Sequence, residues 1–297
     1  MKLLPNTIIL LHEIYDPNWL DNAFKILKRN YNMITAEELE NYYYNSANLK
    51  NSCHVTFDDG DLSFYDNILP VVRKHKIPVS TYVSPLMAAE KKNFWFQEVK
   101  GYNDEKMIEI INQVTNNKNY IQRQSVKPFL KTLKLDVIWE IIRLYQKETN
   151  EPPKKPMNMT INQLREVKSS GLVEIGAHTL NHPILINEND DFAKMEIEKS
   201  IDFLGDILNI GIKYFAYPNG NYSNREIEIL RNKGIKLAFS TKRGKISLEN
   251  NKYSIPRSGS PMVSEVQNNR IYSNIKSIFQ VIAGEERYNK YQKILRS

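Results

Sequence analysis

One cysteine, Cys53, occurs in the 297 residues, so no disulfide can form within the chain and a reducing compartment is compatible. No apolar run approaches the roughly 20 residues needed to cross a bilayer. The amino-terminal MKLLPNTIILLHEIYDP has one lysine and a short apolar stretch that His12, Glu13 and Asp16 end early. It is too short and too poorly bounded for a secretory leader, and it reads as a buried first strand, which places the protein in the cytoplasm. No basic cluster is interleaved with aromatics, which argues against nucleic acid as a partner. No internal repeat or low-complexity tract stands out. Histidine is scarce, at five residues, and none follows His182.

Hydrophobic residues make up 41% and charged residues 25%, ordinary values for a soluble globular protein. The length suffices for one large α/β domain or two small ones with a substantial core. Net charge is +7. Because the basic residues are spread along the chain, this reads first as a solvated lysine-rich surface. Attraction to an anionic partner, a phosphorylated sugar carrier or a membrane face, is the alternative.

Short runs rich in Val, Ile, Phe and Tyr, bounded by Gly, Pro or Asp, mark buried strands at Thr7–Leu11, Cys53–Phe57, Val79–Val83, Leu172–Ala177, Tyr214–Tyr217 and Leu237–Ser240. Helical patterns separate most of them, at Trp19–Arg29, Ser63–His75, Ile161–Ser169, Asp190–Leu208 and Asn224–Lys233, with Asp190 and Asn224 as N-caps. Such alternation implies a mostly parallel sheet with short crossovers. Residues 93–157 break the rhythm with FWF at 94–96, two polar helix-like stretches (Asp104–Thr115 and Leu133–Thr149) and EPPKKP at 151–156. They read as a helical insertion between two barrel strands of one domain.

Two segments carry the chemical signal. Thr56-Phe57-Asp58-Asp59-Gly60 is a strand running into paired carboxylates. Side chains alternate along a strand, so neighbours face one site only where the backbone turns, and Gly60 permits that. Alone, the segment reads more readily as an ordinary Asp-Asp-Gly turn. His178-Thr179-Leu180-Asn181-His182-Pro183 follows the strand VEIGA. Two histidines four apart share a face if the intervening turn is helical, a spacing suited to zinc. Together the segments offer one carboxylate and two imidazoles for a metal, with a spare carboxylate to act as base.

TFDDG followed by HTLNHP resembles the polysaccharide deacetylase family (NodB homology, carbohydrate esterase family 4). LREVKSSGLVEIGAHTLNHPIL and KYFAYPNGNYS, a variant of the family's third motif, are similar to it as well. The resemblance runs from Thr7 to about Gly259 and is weakest across the insertion. It implies a distorted (β/α) barrel of about seven strands and hydrolysis of an N-acetyl or O-acetyl group on a sugar. It also implies a divalent metal: zinc first, with cobalt, nickel or manganese as alternatives. By position, Asp58 corresponds to the family's base, and Asp59, His178 and His182 to its metal ligands.

The third motif departs from the family pattern. Ala216 stands where an arginine usually orients the base, and Arg257, in IPRSGS at 255–260, is the substitute guanidinium or else an ordinary core-edge arginine. By the same resemblance the backbone N–H of Asn219 donates to the oxyanion. The family's carboxy-terminal histidine acid has no counterpart here. His12, at the end of the first strand, resembles the strand-end histidine of a family branch with rearranged motif order and is the preferred general acid, ahead of His54 and His75, with a satisfied strand-end histidine as the alternative.

For sugar contact, Trp95 with its flanking Phe94 and Phe96, and Tyr217, are candidates, with core packing as the alternative for each. The reading is an N-acetylhexosamine deacetylase acting on a free, polymeric, lipid-linked or nucleotide-linked glycan. Peripheral membrane contact and oligomeric state stay open. An O-acetyl esterase, a small-amide hydrolase and a silent glycan-binding protein are the alternatives.

Overall fold

A computed structural model describes residues 4–116 and 126–259. Eight parallel strands form one curled sheet: β1 (Thr7–Leu11), β2 (Asn32–Met33), β3 (Ser52–Phe57), β4 (Val79–Val83), β5 (Val173–Ala177), β6 (Tyr214–Ala216), β7 (Leu237–Phe239) and β8 (Ser258–Gly259). The order is β7-β6-β5-β4-β3-β1-β8, with β2 added beside β3. Just before β8, Ile255 bridges to Phe239 of β7, while β8 itself pairs with β1. The segment 255–259 therefore touches both edges of the curl, completing a NodB-like (β/α) barrel.

The helices are α1 (Pro17–Asn30), α2 (Ala36–Asn45), α3 (Leu69–His75), α4 (Pro85–Glu90), α5 (Trp95–Glu98), α6 (Asp104–Thr115), α7 (Val126–Leu130), α8 (Leu135–Thr149), α9 (Ile161–Ser169), α10 (Asp190–Leu208) and α11 (Asn224–Asn232). Period-two alternation sorts the strand side chains into two sets. Val55 and Phe57 of β3, Val79 and Val83 of β4, and Ile175 and Ala177 of β5 pack outward against residues of α1, α3, α9 and α10. Ile8, Tyr82, Tyr214, Ala216, Leu237, Phe239 and Ile255 fill the inside. On that alternation His54, Thr56 and Asp58 share the inner face, as do Glu174, Gly176 and His178. Chemistry thus collects where β3 and β5 end, as in other parallel barrels.

Helices α5 to α8 make a separate cluster around Trp95, Ile110, Leu130, Ile138 and Ile142. The start of α9 is fixed by a reciprocal capping box between Thr160 and Gln163. The caps of α10 and α11 are Asn189 and Ser223, each one residue before the position expected from sequence. Their side chains accept from Phe192 N and Arg225 N, leaving Asp190 and Asn224 inside the first turn.

Gly176 faces Tyr82 across the β4–β5 ladder. A Cβ there would lie 2.6 Å from the Tyr82 ring and 2.7 Å from the Tyr214 carbonyl oxygen, and backbone cannot swing aside as a flexible side chain can. Gly176→Ala is expected to destabilise the barrel by about 1–3 kcal/mol, the usual cost of overpacking. Urea denaturation checks this, and an unchanged midpoint would show that the inner face is looser than described.

Candidate active site

The Asp58–Asp59 pair is split by the backbone. Asp58 continues the inner-face alternation of β3, its N–H donating to the Leu11 carbonyl at 3.0 Å. Asp59 and Gly60 then both take left-handed conformations, at φ 76° and 74°. A non-glycine residue there is strained, and such strain persists only where surroundings impose it. The turn sends the two carboxylates to different partners.

Asp58 meets Arg257, which is fully buried. Its Nη1 and Nη2 donate to the two Asp58 oxygens at 2.8 and 2.7 Å. Nη1 also donates to Thr56 Oγ1 at 3.1 Å, and Nε to the Ser240 carbonyl at 3.0 Å. The guanidinium lies over the rings of Tyr82 and Phe239. Burial works to raise the Asp58 pKa, but the charge of Arg257, then His178, the hydrogen bonds from Arg257 and the charge of His12 together hold it below the ordinary value. Asp58 is thus a buried carboxylate kept ionised.

Asp59 meets the two histidines. Its Oδ1 lies 3.4 Å from His178 Nε2 and 3.2 Å from His182 Nε2. One ligand atom from each of the three residues falls within 4.8 Å of the others. His178 Nδ1 is 2.7 Å from the Ala216 carbonyl oxygen. A carbonyl only accepts, so Nδ1 carries a proton and Nε2 is the nitrogen turned to Asp59 and free to serve as a ligand. Phe94 and Phe96 pack against the His182 ring, each with centroids 5.1 Å away. Two imidazole nitrogens and a carboxylate oxygen, mutually oriented and largely buried, suit a divalent cation of the zinc class.

The spacing of His178 and His182 arises differently from the helical turn considered from sequence. Residues 178–182 form an irregular loop in which Thr179 and His182 have φ of 63° and 60°. Thr179 Oγ1 accepts from His182 N at 3.0 Å. Glu196, inside α10 and fully buried, accepts from Leu180 N, Asn181 N and Asn181 Nδ2 at 3.0, 2.8 and 2.7 Å. Ser84 Oγ donates to the His178 carbonyl at 2.8 Å. Sequence reasoning missed Glu196, Ser84, Thr179 and Thr56. Glu196 reads there as one more polar residue of an amphipathic helix.

The other candidates fall into place or out of it. His12 follows β1 and is exposed, and its charge acts on both Asp58 and Asp59. His54 is structural: Nδ1 donates to the Ile34 carbonyl and Nε2 accepts from Ser80, each at 2.8 Å. Burial pushes its pKa down to about 4. His75 pairs with Asp21 at 2.7 Å, far along the helix from the site. Asn219 is exposed on the turn after β6, with φ 55°. Two aromatic candidates for sugar contact are corrected. Tyr217 is fully buried, donating to the Tyr253 carbonyl at 2.8 Å and stacked on Tyr222. Trp95 turns into the core of α5–α8, where it is 2% exposed and offers no face to a ligand.

No helix among the described residues is long and apolar enough to cross a membrane. Several known proteins are similar to this chain. Staphylococcus aureus poly-beta-1,6-N-acetyl-D-glucosamine N-deacetylase is 21% identical over 224 residues, covering 75% of this chain and 59% of that protein. The chain thus spans under two thirds of the length of the curated relatives it matches. Among solved structures, IcaB from Ammonifex degensii matches with a TM-score of 0.61 at 19% identity, over 89% of this chain and 95% of that one. Streptococcus pyogenes deacetylase PplD, solved with acetate, matches at 0.60 and 19%, over 87% and 93%. At these identities the structures speak for the fold. The family model of polysaccharide deacetylases aligns with residues 45–238, which include both carboxylates and both histidines, and the chain belongs to that family.

Proposed function

We propose that the protein is a divalent-metal-dependent hydrolase that removes the N-acetyl group from an N-acetylhexosamine in a glycan or glycan precursor, releasing acetate. The observation that carries this reading is the juxtaposition of an Asp–His–His ligand set with a separate carboxylate held ionised by a buried arginine. A binding module has no use for that second carboxylate, whose burial is costly without catalysis to justify it. The names of the curated relatives make β-1,6-linked N-acetylglucosamine the first substrate to try.

Asp59, His178 and His182 would hold the cation. Bound there, it supplies Lewis acidity that polarises a carbonyl and acidifies water, and zinc fits the donor set best. The remaining steps belong to the chain. Asp58, aimed by Arg257, takes a proton from the water that attacks the acetamide carbon. The Asn219 amide, on its strained turn at the mouth, donates to the oxyanion. His12 gives a proton to the nitrogen as the C–N bond breaks, leaving acetate and an amino sugar.

Three predictions follow from this assignment. Purified protein is expected to carry about one divalent ion per chain, with chelation abolishing acetate release and His178→Ala lowering the bound metal. Asp58→Asn should keep the metal and lose on the order of a hundredfold or more in rate. Elemental analysis paired with acetate assay on β-1,6-linked N-acetylglucosamine oligomers tests this, and a metal-free, fully active protein would overturn it.

Arg257→Met leaves Asp58 buried without its cation, which costs roughly 3–5 kcal/mol of stability at neutral pH. The depressed pKa of Asp58 contributes stability above its unfolded value, and that contribution is lost as pH falls through the folded value. Without Arg257 the carboxyl pKa rises, so the acidic limb of the pH–rate profile should move to higher pH. A limb that stays in place would remove Arg257 as the group that sets the base.

His12→Ala is expected to lose about a hundredfold or more in turnover while metal content and melting temperature hold. Full activity in that variant takes His12 out of the mechanism.

A further inference from the structure

The helical insertion brings a cation to the mouth of the site. Lys131 follows α7, and its Nζ donates to Asn219 Oδ1 at 2.7 Å, on the turn that ends β6. Its backbone is fixed from the barrel side as well. Asn187, five residues past His182, donates through Nδ2 to the carbonyls of Lys131 and Leu133 at 2.9 and 3.0 Å. The position of Lys131 is therefore tied to both loops that build the site.

Lys131 has no direct counterion among the described residues, and Asp59 acts on it only through space. Its single recorded acceptor is the neutral Asn219 amide oxygen. Lys127, exposed one helical turn earlier, adds a second positive charge and likewise lacks a carboxylate partner among the described residues. Partial desolvation pulls the Lys131 pKa down, the Asp59 charge opposes that, and Lys127 reinforces it. Holding a long side chain against a neutral acceptor forfeits rotamer freedom for little return, unless something anionic completes the arrangement.

We propose that Lys131, with Lys127 behind it, is a specificity-determining cation for a glycan bearing an acidic group, a phosphate or a carboxylate, close to the N-acetylated sugar. This rests on the deacetylase reading of the site and narrows its substrate. Lys131 reaches the turn that lines the proposed oxyanion position, so an anion bound by it would lie on the same side of the site as the reacting acetamide. Recognition here is separate from bond cleavage: Lys131 takes no proton and touches no metal ligand.

Binding and turnover separate the two claims. Calorimetric titration of the full chain would use a neutral N-acetylglucosamine trisaccharide, the same trisaccharide carrying a phosphate, and one carrying a uronic acid. The acidic forms should bind about tenfold more tightly, as a charge-assisted contact does, with the advantage shrinking as salt is raised. Lys131→Gln should abolish that advantage while leaving neutral binding and metal content unchanged, and Lys131→Arg should retain most of it. The better of the two acidic probes identifies the anion. Equal binding of all three sugars by the unaltered protein, or an advantage that survives Lys131→Gln, overturns the proposal. Acetate release measured alongside reports on the deacetylase reading alone: no release, with the charge preference intact, sinks that reading and leaves the cation in place.

Discussion

The pairing of Arg257 with Asp58 joins residues 199 apart in sequence, and the site depends on it. Two charges removed from water need full compensation, and here the guanidinium distributes hydrogen bonds over Asp58, Thr56 and the Ser240 carbonyl, with aromatic rings on its faces. Those partners lie on β3 and just after β7, while Arg257 itself sits between the residue that bridges to β7 and the strand that pairs with β1. One side chain thus ties together the closing segment, the far edge of the sheet and the Asp58 carboxylate. Ala216 stands where the family's third motif usually carries an arginine, and in this chain the guanidinium beside Asp58 comes from the closing segment instead. What the chemistry requires is a fork-shaped cation at a point in space, and the chain can deliver it from wherever the curl brings backbone near.

The loop ends that build the other half of the site are governed by strain. Asp59, Thr179, His182 and Asn219 are all non-glycine residues with positive φ, and all stand at the ends of β3, β5 or β6. Each such residue costs on the order of 1–3 kcal/mol and needs its surroundings to hold it. Those surroundings are identifiable: Glu196 clamps the loop between the histidines, Ser84 holds the His178 carbonyl, and Phe94 with Phe96 fixes the His182 ring. A relaxed β-to-loop exit would send Asp58 and Asp59 to opposite faces of the sheet. The left-handed turn at Asp59 keeps both beside one site, each with a distinct partner.

How far this was legible in the sequence follows from the range of the forces involved. The longer strands and most helices are written in local periodicity, so β1, β4, α6, α9 and α10 fall where the pattern puts them. Short edge pieces such as β2 and β8 carry no periodic signal in two residues, and they exist because a neighbouring strand presents unpaired backbone. The four residues of the Asp-Asp and His-x-x-x-His segments were readable through spacing and resemblance. Arg257 was readable only as one of two alternatives, since nothing local says that residue 257 returns to residue 58. Trp95 and Tyr217 misled for one reason: an aromatic near a motif looks alike whether it faces a ligand or the core, and only tertiary packing decides. Glu196 left no trace at all, because a buried carboxylate that caps a distant loop is written like any helix glutamate.

The insertion invites a division of labour between scaffold and recognition. The barrel ends supply Asp59, His178 and His182, a set able to hold a metal ion, and Asp58 with Arg257 beside it. The insertion supplies what surrounds them, through Phe94 and Phe96 against the His182 ring and Lys131 against Asn219. Its own core around Trp95 and Ile142 is separate from the barrel's, so its shape is free to vary without disturbing the strands. Side chains that must sit to within a fraction of an ångström belong on strand ends, whereas a long flexible cation can serve from a helical excursion.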